Sequence, residues 1–149
     1  MQEVIFQELS QVILDIPFNR MLGLRLDEIE KNTVTLSFAM KEELVGNFLL
    51  GILHGGVISS VLDMTGGVAS MVFAMLQHPD KSIDELKEVL ARASTVNLQI
   101  SYVQPGRGER FIAKAVVMHG GKRLCFTHVT LTNEVGKLIA MGEATYLIG

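Results

Sequence analysis

The segment Leu53–Gly67, LHGGVISSVLDMTGG, opens with a histidine and two glycines, runs on through apolar residues and carries one carboxylate, Asp63. From Gly55 to about Leu76 the chain is apolar nearly all round, which predicts a helix enclosed by other structure. Pro79 stops it. A charge inside such a segment is either paired or faces a cleft, because an unpartnered buried carboxylate is costly.

Upstream, Val4, Ile5, Leu9, Val12 and Ile13 recur at helical spacing over residues 2 to about 15, and Pro17 is expected to end that helix. MLGLRLDEIE (21–30) reads as a first strand. NTVTLSFAM (32–40) reads as a second, with Val34, Leu36, Phe38 and Met40 on one face and Thr33, Thr35 and Ser37 on the other. Lys31-Asn32 fits the turn between them, and 41–53 reads as a loop holding Gly46-Asn47 and Gly51.

Downstream, Ser82 and Glu85 have the spacing of a capping box and open a short amphipathic helix, SIDELKEVLARA (82–93). Four strand-like runs follow. In TVNLQISYV (95–103), Val96, Leu98, Ile100 and Tyr102 alternate with Thr95, Asn97, Gln99 and Ser101. RFIAKAVVMH (110–119), KRLCFTHVTLTN (122–133) and KLIAMGEATYLI (137–148) come next, separated by glycine turns. The order predicts one α+β domain, residues 1–149. A single antiparallel sheet would wrap around the long helix, and a second copy of the chain would cover what the sheet leaves open.

Composition narrows the function classes. The 149 residues are 48% hydrophobic and 19% charged, as in a compact globular chain. The net charge is −3, the basic residues are dispersed and Trp is absent, which argues against nucleic acid as a partner. Cys125 is the single cysteine and sits in an apolar strand-like run, so it reads as a buried, inert thiol and the expected compartment is the reducing cytoplasm. MQEVIFQELS lacks the basic start and cleavage site of a signal peptide. Asp63, Ser59, Ser60, Thr65, Ser70 and the Gly66-Gly67 pair argue against a membrane span at 57–76. His54, His78, His119 and His128 are scattered, and no metal-ligand spacing is present.

The chemistry points to the helix mouth. A helix N-terminus presents free N–H groups and partial positive charge, and Gly55 and Gly56 let a ligand approach them closely. Asp63 lies nine positions after His54, half a turn out of phase and about 13 Å along the axis. One substrate could hardly touch both ends of that stretch. If both groups serve one site, they come from different chains. The rival readings are a buried Asp bonded to backbone or hydroxyl neighbours, a Gly-Gly pair used for packing, and a structural histidine.

LHGGVISSVLD resembles the signature of hotdog-fold acyl-CoA thioesterases of the PaaI type (phenylacetic-acid-degradation thioesterase). TVNLQISYVQPG (95–106) and GGKRLCFTHVTLTNEVGKLIAMGEATYLIG (120–149) are similar to strands of the same family, so the likeness covers most of 22–149. The resemblance implies a hotdog fold. It implies that the Gly55 N–H polarises a thioester carbonyl, with His54 shaping the loop and Gly56 beside the ligand. Asp63 of the partner chain would act as general base or as attacking carboxylate. Asn47 would orient water or thioester, and Thr95 would position the water. Gly121, Lys122 and Arg123 would lie near the CoA moiety, and Val57, Val61, Met64 and Val68 along the acyl chain. It further implies medium/long-chain or aryl acyl-CoA as substrate, no cofactor, and a homodimer, assembled further as a dimer of dimers. The helix within DKSIDELKEVLA (80–91) is an insertion relative to compact members, expected near the acyl tunnel or the dimer edge. A hydratase/dehydratase with His54 as base, and a non-catalytic acyl-CoA binder, are the alternatives.

Overall fold

The computed structural model describes residues 2–149. Two helices, α1 (Gln2–Asp15) and α2 (Pro17–Leu22), precede β1 (Arg25–Glu30) and β2 (Thr33–Ala39). A 3-10 turn (Glu42–Leu44) and a two-stranded ladder of β3 (Val45–Asn47) and β4 (Ile52–Leu53) lead into α3 (Gly55–Leu76). Then come α4 (Ile83–Ala91), β5 (Ser94–Tyr102), β6 (Arg110–Gly120), β7 (Leu124–Asn133) and β8 (Leu138–Leu147).

Six antiparallel strands form one sheet in the order β1-β2-β6-β7-β8-β5, wrapped around α3 as the sequence predicts. Alternation decides which side chains meet the helix. Leu36 and Phe38, Phe111, Ala113 and Ala115, Val129 and Leu131 are buried on the inner face against Val61, Leu62, Val68 and Val72 of α3. The alanines among them let the helix lie close to the strands. α3 is long and apolar enough to cross a bilayer, but here the sheet buries much of its apolar surface.

Three local features depart from the sequence reading. α1 ends at Asp15, just before Pro17 as expected, with Ile16 extended (φ −70°, ψ 117°), but Pro17 also opens α2, where its fixed φ suits a first turn and its missing N–H leaves no bond unmade. After that break the chain is helical again through Leu22, turns at Gly23 (φ 71°), and β1 begins only at Arg25. The 41–53 loop contains the β3–β4 ladder. In β5, the pairing runs Thr95↔Tyr146 and then Asn97↔Thr145, so Val96 is an extra, bulged residue. The bulge turns Thr95 to the same face as Leu98 and leaves Val96 58% exposed, although simple alternation puts Val96 inward.

The predicted capping box forms. Ser82 N–H donates to Glu85 Oε2 at 2.8 Å, and Glu85 N–H donates to Ser82 Oγ at 3.3 Å. Leu86 enters the main core, and Lys87 Nζ stands 3.9 Å from Glu8 Oε2 of α1. α4 thus packs against α3 and reaches α1.

Candidate active site

His54 is the N-cap of α3, and its Nδ1 accepts the Gly56 N–H at 2.8 Å. Gly56 has to be glycine here, because a Cβ would sit 2.9 Å from that nitrogen. The Gly56 N–H, read from sequence as open to a ligand, is therefore taken. The Gly55 N–H has no partner among the described residues and lies exposed at the helix mouth. Tyr102 of β5 closes one side of the mouth and donates its hydroxyl to the Gly55 carbonyl at 3.3 Å.

Asp63 stands eight residues on, about 12 Å along the axis. Its Oδ1 accepts Thr95 Oγ1 at 2.9 Å. Tyr146 of β8 donates its hydroxyl to the Asp63 main-chain carbonyl at 2.7 Å and lies 3.2 Å from Oδ1. Among the described residues nothing bonds to Oδ2. The carboxylate borders a pocket of about 120 Å³, walled by Met64, Gly67 and Met71 of α3, by Ala93–Thr95 and by Tyr146. Burial, and then the charge of Asp63, push the Tyr146 phenol above its usual range, so it stays a neutral donor.

Nothing in periodicity or motif singled out Tyr146. The signal is the pairing of KLIAMGEATYLI with Gly66-Gly67. A Cβ at Gly66 would meet the Tyr146 ring at 2.9 Å from Cε2, so the helix needs a glycine where the ring lies.

The other sequence candidates fall elsewhere. The Asn47 side-chain oxygen accepts the Leu49 and Leu50 N–H groups at 3.1 and 3.3 Å. It shapes a turn whose tip, Phe48 and Leu49, is 86% and 80% exposed. No bond takes it to Asp63 or to the Gly55 N–H. Gly121 and Lys122 border a pocket of about 540 Å³ at the far end of α3, with Ala74, Gln77 and His78. Arg123 accepts the Ile148 N–H through its carbonyl beside that pocket. Cys125 is buried, and burial pushes its thiol upward, as suits an unreactive position. Among the described residues, no three His, Cys, Asp or Glu side chains gather as metal ligands would.

The profile of the thioesterase superfamily matches residues 50–140, which include both the helix mouth and Asp63. The chain belongs to the thioesterase superfamily. This thioesterase is 39% identical to the medium/long-chain acyl-CoA thioesterase YigI of Escherichia coli (strain K12), over 92% of its own length and 88% of the relative's. It is 30% identical to human acyl-coenzyme A thioesterase 13, over 89% and 85% of the two chains. A crystal structure of a Shewanella oneidensis protein related to the thioesterase superfamily superposes with a TM-score of 0.93 at 34% identity, covering 99% and 97% of the chains. The thioesterase has the α+β hotdog architecture and is a thioester hydrolase.

Proposed function

We propose that this enzyme hydrolyses medium- or long-chain acyl-CoA thioesters at sites shared between two copies of the chain. The observation that carries the reading is the separation of the two reactive groups: a free Gly55 N–H and a carboxylate about 12 Å further along one helix. A single thioester cannot bridge them within one protomer, but Gly55 of one copy and Asp63 of another can flank it.

The thioester carbonyl oxygen accepts the Gly55 N–H, which stabilises the oxyanion as the bond is attacked. Asp63 takes a proton from water while the water oxygen adds to the acyl carbon, the C–S bond breaks, and the CoA thiolate leaves to be protonated. Direct attack by the carboxylate, followed by hydrolysis of the anhydride, uses the same atoms. Water and two protein groups account for the reaction without a cofactor.

The edge strand supports the shared site. β5 pairs with β8 alone, and its residues Ser94–Tyr102 contain no charge and no proline to guard the open edge. Such an edge is a template for a second strand. Exposed Val96 and Tyr102 lie on it, and the tip of the β3–β4 hairpin, Phe48–Leu50, is apolar and exposed as well. An alkyl chain suits the methionine-walled pocket beside Asp63. The hydratase alternative would need His54 as a base. With Nδ1 accepting a backbone N–H, the neutral ring carries its hydrogen on Nε2 and can only donate there.

Thiol release over a panel of acyl-CoAs, with Asp63→Ala beside the wild type, tests the proposal. Turnover by the wild type and a fall of at least ~100-fold in the variant are expected for loss of the proton acceptor. A variant as active as the wild type would remove Asp63 from the mechanism.

A further inference from the structure

We infer that Tyr146 is a positioning residue that orients the Asp63 carboxylate so that Oδ2 is the oxygen presented to substrate. The inference rests on the reading of Asp63 as the reacting acid and adds the device that holds it.

Three independent features converge on one carboxylate oxygen. First, Thr95 and Tyr146 are direct cross-strand partners on β5 and β8, and both hydroxyls reach Asp63 Oδ1, at 2.9 and 3.2 Å. Second, the Val96 bulge sits beside that pair, and without the extra residue Thr95 would face away from α3. Bulges recur where a strand must re-aim one side chain. Third, α3 carries glycines at 66 and 67 under the Tyr146 ring, although mid-helix glycines weaken a helix. Helix, bulge and last strand are each adapted to bring two hydroxyls to the same atom.

A buried tyrosine needs a partner for its hydroxyl, and the Asp63 carbonyl at 2.7 Å alone would meet that need. The contact with Oδ1 goes further. With Oδ1 held from two strands, rotation about the carboxylate is blocked and Oδ2, unbonded among the described residues, is left as the oxygen free to react. The phenol is 3% exposed and stays protonated, so the restraint persists across the working pH range.

Tyr146→Phe tests this, since it keeps the ring over Gly66 and removes only the hydroxyl. The expected result is a kcat lower by about tenfold, as for loss of one hydrogen bond to a charged group. KM should stay near the wild-type value and the variant should melt within about 2–4 °C of the wild type, the usual shift for one lost hydrogen bond. Thr95→Val should act in the same direction, and the double variant should fall short of the product of the two single effects, because both hydroxyls restrain one atom. Wild-type kcat in Tyr146→Phe, with turnover lost in Asp63→Asn, overturns the positioning role and leaves the acid in place. A kcat loss that appears only with early melting, or two effects that simply multiply, also overturns it. If Asp63→Asn turns over like the wild type, the underlying reading fails and this one with it.

Discussion

His54 folds its imidazole back onto the helix it opens, and the consequence falls on its neighbours. By taking the Gly56 N–H it leaves Gly55 as the exposed donor at the mouth. Gly55 is the first helical residue, a position where proline is well tolerated because its φ already suits a helix. His54, at φ −63° and ψ 135°, has the extended backbone that a following proline demands. A Cβ on Gly55 would stand 3.6 Å from Tyr102, an ordinary contact. Gly55→Pro therefore removes one N–H with little disturbance to the fold. Its kcat for acyl-CoA hydrolysis should drop by ~100–1,000-fold, the usual loss of one oxyanion donor, while its thermal midpoint stays near that of the wild type. Steady-state thiol release and a melting curve on the same sample check both halves.

At the scale of elements, the glycines inside α3 carry the clearest expectation. Alanine normally favours a helix interior over glycine by about 1 kcal/mol. At position 66 the added methyl would run into the Tyr146 ring, which β8 holds in place. Gly66→Ala should thus destabilise by a net ~1–2 kcal/mol in urea unfolding, since overpacking outweighs the propensity gain. In a Tyr146→Ala background the same substitution should stabilise, a reversal of sign that pure helix propensity cannot give. The elements themselves were largely legible in the sequence, because α3, α4 and the strands announce themselves through local periodicity and caps such as Ser82 with Glu85. What was not legible depends on contacts between distant segments. Pro17 does stop α1, as its sequence position predicts, but that it also starts α2 rests on the packing of the two helices. The Val96 bulge is set by pairing with β8, and the alternation of side chains along β5 does not show it. Tyr146 meets Asp63 across 83 positions of sequence, which no local pattern encodes. Gly55, His54 and Asp63 stood out because a helix mouth and a lone carboxylate are local features.

For the molecule as a whole, the question is whether one substrate is served by one copy or by two. A shared site makes an unusual demand on mixtures. In a dimer built from one Gly55→Pro chain and one Asp63→Ala chain, the first chain keeps its carboxylate and the second keeps its N–H. One of the two sites then assembles from two intact halves, while the other combines both defects. Each variant alone is inactive, because a symmetric dimer repeats the same defect at both sites. Unfolding and refolding the two variants together in equal amounts should give about half mixed dimers with half their sites intact, hence about a quarter of wild-type activity per chain. A site confined to one protomer predicts none at any mixing ratio, because every chain then carries a broken centre. The open edge of β5 offers a second handle on the same assembly. A lysine at Val96, which is exposed on the bulge, should weaken pairing along that edge and make turnover depend on protein concentration. Loss of activity on dilution, in step with the sedimentation coefficient, would tie the chemistry to the paired state. Equal specific activity in monomeric and paired fractions would place both the amide and the acid in a single chain, a placement that their separation along α3 argues against.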